Sequence, residues 1–169
     1  WSSDVCSSDL EKVKKRAEEK ETWARDIGTM LHEWIDLYLK GQKPALPESE
    51  PLLSMVNKWK NWWVAQKFEV VLSELPLYSK KFDCAGCNDV IVTKKKWKGQ
   101  NAVLDWKTSK DYSLDQAIQV EVYRRFIEET TDFKIQKLGI VKIPKETEKP
   151  ISMMVIDIDE SYFKGFKAI

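Results

Sequence analysis

The nine residues Asn101-Ala102-Val103-Leu104-Asp105-Trp106-Lys107-Thr108-Ser109 decide how the rest of the chain is read. Ala102 to Trp106 has the content of a short buried strand, and the polar residues after it lead towards a helix. Side chains two apart on a strand share a face, so Asp105 and Lys107 stand together, roughly 7 Å apart along the backbone. A carboxylate and an ammonium so placed can serve one small site, the acid on a metal ion and the Lys on water or phosphate. Taken alone, the pair has a plainer reading as a surface ion pair. Asp-x-Lys arises by chance roughly once in a few hundred residues at ordinary usage. Its weight comes from its surroundings.

Downstream, Ser113-Leu114-Asp115-Gln116 has the pattern of a capping box and opens a helix to about Glu129. Leu114, Ile118, Val122 and Phe126 are its expected buried stripe, with Gln119 and Tyr123, four apart, along one flank. Residues 134–143 and 151–159 read as two further strands, joined by the polar segment 144–150. A last helix is expected from Ser161.

Upstream, Lys94-Lys95-Lys96-Trp97-Lys98-Gly99 reads as a basic hairpin tip. It can grip phosphates and stack a base, or it can be a solvated turn. Residues 82–95 form the strand before it. There Asp89 precedes the apolar run Val90-Ile91-Val92, and Gly86 permits a bulge or a close backbone contact. Cys84 and Cys87 have a zinc-like spacing, but a structural zinc takes four ligands, so they read as plain buried thiols. Residues 68–79 are a strand on which Glu74 is expected to share a face with Phe68, Val70 and Leu72. A carboxylate there is either paired or metal-bound, or it lies at a frayed strand end.

Two helices come first. Glu11 to about Lys40 carries Trp23, Ile27, Leu31, Trp34, Ile35 and Tyr38 at helical spacing, and Gly41 stops it. Gly28, one turn before the chain's single histidine, His32, marks a close approach by another element. His32 by itself reads equally as a structural histidine. Pro51 fits the first turn of a second helix, to about Gln66, whose tryptophans (Trp59, Trp62, Trp63) read as core. Residues 1–10 contain the near-repeat SSDV/SSDL and read as a non-native scar. Residues 11–169 are expected to be one domain, cut short at both ends.

Hydrophobic residues make up 43% and charged residues 33% of the chain, the balance of a globular protein. Net charge is +1, so any attraction to nucleic acid comes from a local patch. No apolar run reaches the roughly 20 residues of a membrane span. Three cysteines give no disulfide framework, and a reducing, cytoplasmic setting is expected.

In order, Gly28-Thr29-Met30-Leu31-His32, Ser73-Glu74, Ala85-Gly86-Cys87-Asn88-Asp89, Leu104-Asp105-Trp106-Lys107-Thr108-Ser109 and Gln119-Val120-Glu121-Val122-Tyr123 resemble the PD-(D/E)XK nuclease superfamily, specifically its RecB-type and phage-exonuclease branch. The likeness covers residues 20 to 130 or so. Asn88 stands where small or hydroxyl residues are commoner, and the cysteines do not match the iron–sulfur pattern of CRISPR-associated relatives.

The resemblance implies an α/β fold, a central mixed sheet of about five strands flanked by helices. It also implies a DNA exonuclease of phage or bacterial recombination or repair. Asp89 and Asp105 would ligate the metal, with His32 and the Trp106 carbonyl completing the shell and Glu74 serving a second ion or its waters. Lys107 would orient the attacking water or steady the transition state, and Gln119 and Tyr123 would position the DNA backbone or the Lys. Such a carboxylate-rich set suits Mg²⁺ or Mn²⁺, the imidazole favouring Mn²⁺. A recombination or single-strand-binding protein is the expected partner, with oligomeric state left open. The alternatives are a non-catalytic nucleic-acid-binding accessory of the same fold, and an endonuclease or resolvase.

Overall fold

The computed structural model describes residues 7–166, and for residues 7–13 and Gly165 the backbone alone. Most of the suspected scar, residues 1–6, lies outside the described residues. Helices α1 (Ser7–Leu39) and α2 (Leu52–Gln66) precede strands β1 (Glu69–Ser79), β2 (Cys84–Thr93) and β3 (Asn101–Lys107). Helix α3 (Leu114–Thr130), strands β4 (Ile135–Lys142) and β5 (Ser152–Ile156), and helix α4 (Glu160–Phe166) complete the chain.

The five strands lie side by side in chain order. β1, β2 and β3 form an antiparallel meander, β4 runs parallel to β3, and β5 returns antiparallel. A parallel step needs a crossover, and α3 supplies it. The α/β architecture with a mixed sheet expected from the sequence is the one observed.

Central strands are apolar on both faces because both are covered. Val90, Val92, Ala102, Leu104 and Trp106 pack under α1 and α2 with Leu31, Ile35, Met55 and Trp59. Ile91, Val103, Leu138 and Ile140 alternate onto the other face, under Val120, Phe126 and Ile127 of α3 and Phe163 of α4. The α2 tryptophans are core as expected: Trp59 stacks on Trp63 at 5.2 Å between ring centroids and meets Trp106 edge-on at 5.8 Å.

Three local expectations need correction. Leu114 is 65% exposed; the buried face of α3 is instead Ala117, Val120, Glu121, Val122, Phe126 and Ile127. Of the expected capping box, Ser113 Oγ does accept from the Gln116 amide, at 3.4 Å. The Gln116 side chain, however, turns away to Ser109 and Lys142 instead of returning to the cap. Trp23 is 48% exposed, with the Lys145 ammonium over its ring.

Candidate metal centre and its lysine

β2 and β3 pair from Thr93↔Asn101 to Val90↔Leu104 and then part. The next position in that register sets Asp89 opposite Asp105. On the other side of β2, Ser73↔Val90 and Leu75↔Asn88 bracket Glu74 opposite Asp89. Glu74, Asp89 and Asp105 therefore form one transverse row across three strands, at the place where the sheet opens.

Each carboxylate reaches its place differently. The Asp89 side chain enters the gap between the strands, where Oδ2 accepts the Trp106 amide at 2.6 Å. Its Oδ1 lies 3.1 Å from His32 Nδ1 on α1. Glu74 does not share a face with Phe68, Val70 and Leu72 as alternation implied. A bulge at Val71 and a left-handed backbone at Glu74 (φ 46°) break the period of two. Leu72 and Leu75 face α3, while Ser73, between them, bonds Asp36 of α1 at 2.8 Å. Glu74 joins His32 and Asp36 on the wall of the cleft. A non-glycine residue at positive φ costs of order 1 kcal/mol or more, and such strain collects at functional sites.

Asp105 is 2% exposed, on the α3 side with Val103. Lys107 Nζ stands 2.7 Å from Asp105 Oδ2, as an ion pair. The ammonium donates to Gln119 Oε1 at 2.8 Å, and Gln119 Nε2 in turn donates to Tyr123 Oη at 2.7 Å. Gly86 makes room for this arrangement, since a Cβ there would lie 2.9 Å from the Tyr123 ring. Gly28 likewise faces Thr108, whose Oγ1 would be 3.4 Å from an added Cβ. The Ile143 amide bonds the Lys107 carbonyl on the β4 side. Strand alternation therefore turns the Trp106 carbonyl the other way, towards the opening.

The open side is a cleft of about 590 Å³, lined by Gly28, Thr29, His32, Glu74, Asp89 and Thr108 among others. One ligand atom each from His32, Glu74 and Asp89 lies within 4.8 Å of the other two. The charge balance fits a cation. Burial, then the Asp89 charge, raises the Asp105 carboxyl well above the usual carboxylate range, with Lys107 and His32 opposing. Burial also raises Glu74, with the Cys87 thiol opposing and Asp89 adding to the rise. Burial works to lower His32, but its hydrogen bond to Asp89 and the Asp89 and Asp105 charges outweigh it, so it is raised. Asn88, fully buried on the next rung, has neither amide atom hydrogen-bonded among the described residues. His32, Glu74 and Asp89 form a donor set that a divalent ion would complete. Asp105, expected as a ligand beside them, offers no atom to that close group; its Oδ2 lies against Lys107 instead.

The thiols are not buried as expected. Three apart on β2, they face opposite ways: Cys84 is half-buried on the α3 side, while Cys87 is exposed on the cleft wall, 3.1 Å from Glu74. Burial and Glu74 push the Cys87 thiol up to about 12, so it stays protonated. The basic tip lies at the far end of the β2–β3 hairpin, roughly 17 Å from Asp89 along the chain. Lys94 sits over the Phe68 ring at 4.0 Å and Trp97 packs on Phe68 at 5.8 Å, leaving Lys95, Lys96 and Lys98 exposed. Lys142, 4% exposed at the end of β4, was not singled out in the sequence, because one Lys in an apolar strand carries no local signal.

No known family's sequence profile matches the chain, and no curated protein matches it. Among solved structures it is similar to the crystal structure of a protein described as a putative exonuclease, from Eubacterium rectale. The TM-score is 0.51 at 14% identity, over 84% of this chain and 62% of the other. The chain thus spans less than two thirds of that protein's length. At this identity the likeness establishes the fold, a five-stranded mixed sheet flanked by helices. Among the described residues no helix is long and apolar enough to cross a membrane.

Proposed function

We propose that the protein is a divalent-metal-dependent deoxyribonuclease of the PD-(D/E)XK type, an exonuclease serving phage or bacterial recombination or repair in the cytoplasm. One juxtaposition carries this reading. The ligand atoms of His32, Glu74 and Asp89 lie within 4.8 Å of one another, and Lys107 is held against Asp105 on the adjoining strand.

His32, Asp89, Asp105 and the Trp106 carbonyl would hold Mg²⁺ or Mn²⁺, with Glu74 serving a second ion or its waters. A divalent ion there supplies Lewis acidity, polarising the phosphoryl oxygen and making hydroxide available near neutral pH. Lys107 places a positive donor beside the attacked phosphate. Water adds to phosphorus, the bond to the leaving sugar oxygen breaks, and that oxygen departs with a proton. Gln119 accepts from Lys107 and fixes its direction, while Tyr123 fixes Gln119. Burial pushes the Tyr123 phenol up to about 12, so it works as a neutral hydrogen-bonding group.

End-labelled single-stranded and duplex DNA, linear and circular, tests the reading with Mg²⁺, Mn²⁺ or EDTA. The expected result is metal-dependent loss of linear substrate from its ends. Cutting of circles would make it an endonuclease. DNA binding without cleavage in any divalent metal would make it an accessory.

A further inference from the structure

We propose that the cleft between the β3–α3 loop and the β4–β5 loop is a second phosphate site, which holds the backbone of the same polynucleotide strand next to the carboxylate row. Its ligand rests on the nuclease reading, but its residues are separate ones.

Lys142 forms the floor. Its ammonium is buried, and its hydrogen bonds go to neutral acceptors: Ser109 Oγ at 2.7 Å, Gln116 Oε1 at 3.1 Å and the Asp111 carbonyl. The Tyr112 ring lies 4.9 Å away. Among the described residues no carboxylate comes within ion-pair distance of it. A buried charge with no carboxylate in contact is costly, the Lys107 charge adds to that cost, and an anion from outside would offset it.

The opposite wall is stapled in the same way. Lys58 of α2 donates to the carbonyls of Pro144, Glu146 and Lys149, at 2.8, 2.6 and 3.3 Å. Two lysines thus hold two loops through neutral acceptors, and the carboxylates that act on them do so from beyond ion-pair distance. The cleft between the loops has a volume of about 290 Å³ and presents Thr108, Ser109, Lys110, Lys149 and Ser152. Hydroxyls and ammonium groups are what phosphate oxygens take. Glu146, the acid on this wall, is paired with Lys149 at 3.1 Å. Thr108 lines both this cleft and the one at His32, Glu74 and Asp89, so the two adjoin. It also follows Lys107 directly in the chain. A strand with one phosphate at the carboxylates can therefore lay its neighbour here.

The test is the binding of a labelled single-stranded 12-mer in EDTA, titrated over a range of salt concentrations. Three proteins are compared: wild type, Lys110→Ala/Lys149→Ala and, as a charge-matched control, Lys14→Ala/Lys15→Ala on exposed α1. Two lost phosphate contacts should flatten the log–log salt slope by about 1.4, at roughly 0.7 per contact on a single strand. The control should keep the wild-type slope. An unchanged slope in the Lys110/Lys149 variant, an equal change in the control, or no wild-type binding at low salt overturns the cleft. Displacement of the strand by millimolar inorganic phosphate, with no dependence on strand length, also overturns it in favour of a free-anion site. The same preparations are assayed for cleavage with Mn²⁺. A slope change without wild-type cleavage keeps the cleft and sinks the nuclease reading; cleavage without a slope change does the reverse.

Discussion

Among the described residues acid is buried in two places and treated differently. Glu121, on α3, is fully buried, yet Arg124 meets it through two nitrogens at 2.6 and 2.8 Å and Arg125 through a third at 2.8 Å. Glu128 supports the same cluster from one turn on. Asp105, 2% exposed, has Lys107 beside it, Asp89 opposite and Glu74 beyond. At Glu121 each acid is met by a guanidinium group, and at Asp105 acids outnumber the cations. The first arrangement is complete as it stands. The second is complete with a further positive charge, and that difference separates architecture from a candidate site.

The largest expected effect is at the underbalanced end. On the proposed reading Asp105 is a ligand, so Asp105→Ala should abolish Mn²⁺ binding measured by calorimetry. It should also slow single-turnover cleavage more than about 10³-fold, since the ion's share is several kcal/mol. Unaltered Mn²⁺ affinity would strike Asp105 from the ligand set. Lys107→Ala comes next: metal and DNA should still bind, while cleavage falls by about 10²–10³, as for other preorganised electrostatic groups. A fully active variant would refute its role.

Glu121→Ala probes the balanced end. Removing the acid takes the buried partner from two guanidinium groups and should cost about 3 kcal/mol in urea unfolding, the low end for a broken buried pair because Arg124 keeps Glu128 and Arg125 keeps Glu160. Mn²⁺ affinity of the folded fraction should not move; a parallel loss would mean that the two acid clusters are one system.

The smallest effect is a pH dependence in the metal-free protein. Asp105, Glu74 and His32 are all raised, so the folded state holds more protons than the unfolded one above their ordinary values. Stability contributed by these protons is full at low pH and is lost as pH rises through the raised values. Melting curves in EDTA from pH 4 to 8 should show a shallower decline for Asp105→Asn than for wild type. Identical profiles would mean that Asp105 is not held neutral.

The site was legible where its chemistry is local. Asp105 and Lys107 share a face because strands alternate, and Gly28 and Gly86 announced close approaches that Thr108 and the Tyr123 ring do make. What escaped reading is non-local. The left-handed turn of Glu74 depends on how β1 meets β2, and no residue type signals it. Lys142 and Lys58 gain meaning from the loops they staple, up to 91 residues away in sequence. The Glu121, Arg124 and Arg125 cluster was open to reading, since spacings of three and four on a helix bring such charges together.

Trp106 belongs to two parts of the molecule at once. Its amide is held by Asp89, and its indole is wedged edge-on among Trp59, Trp62 and Trp63, with ring centroids 5.8 to 6.3 Å away. One peptide unit joins the Asp89 carboxylate to the aromatic cluster of Trp59, Trp62 and Trp63. The carboxylate row and the keel of the fold thus meet in one residue.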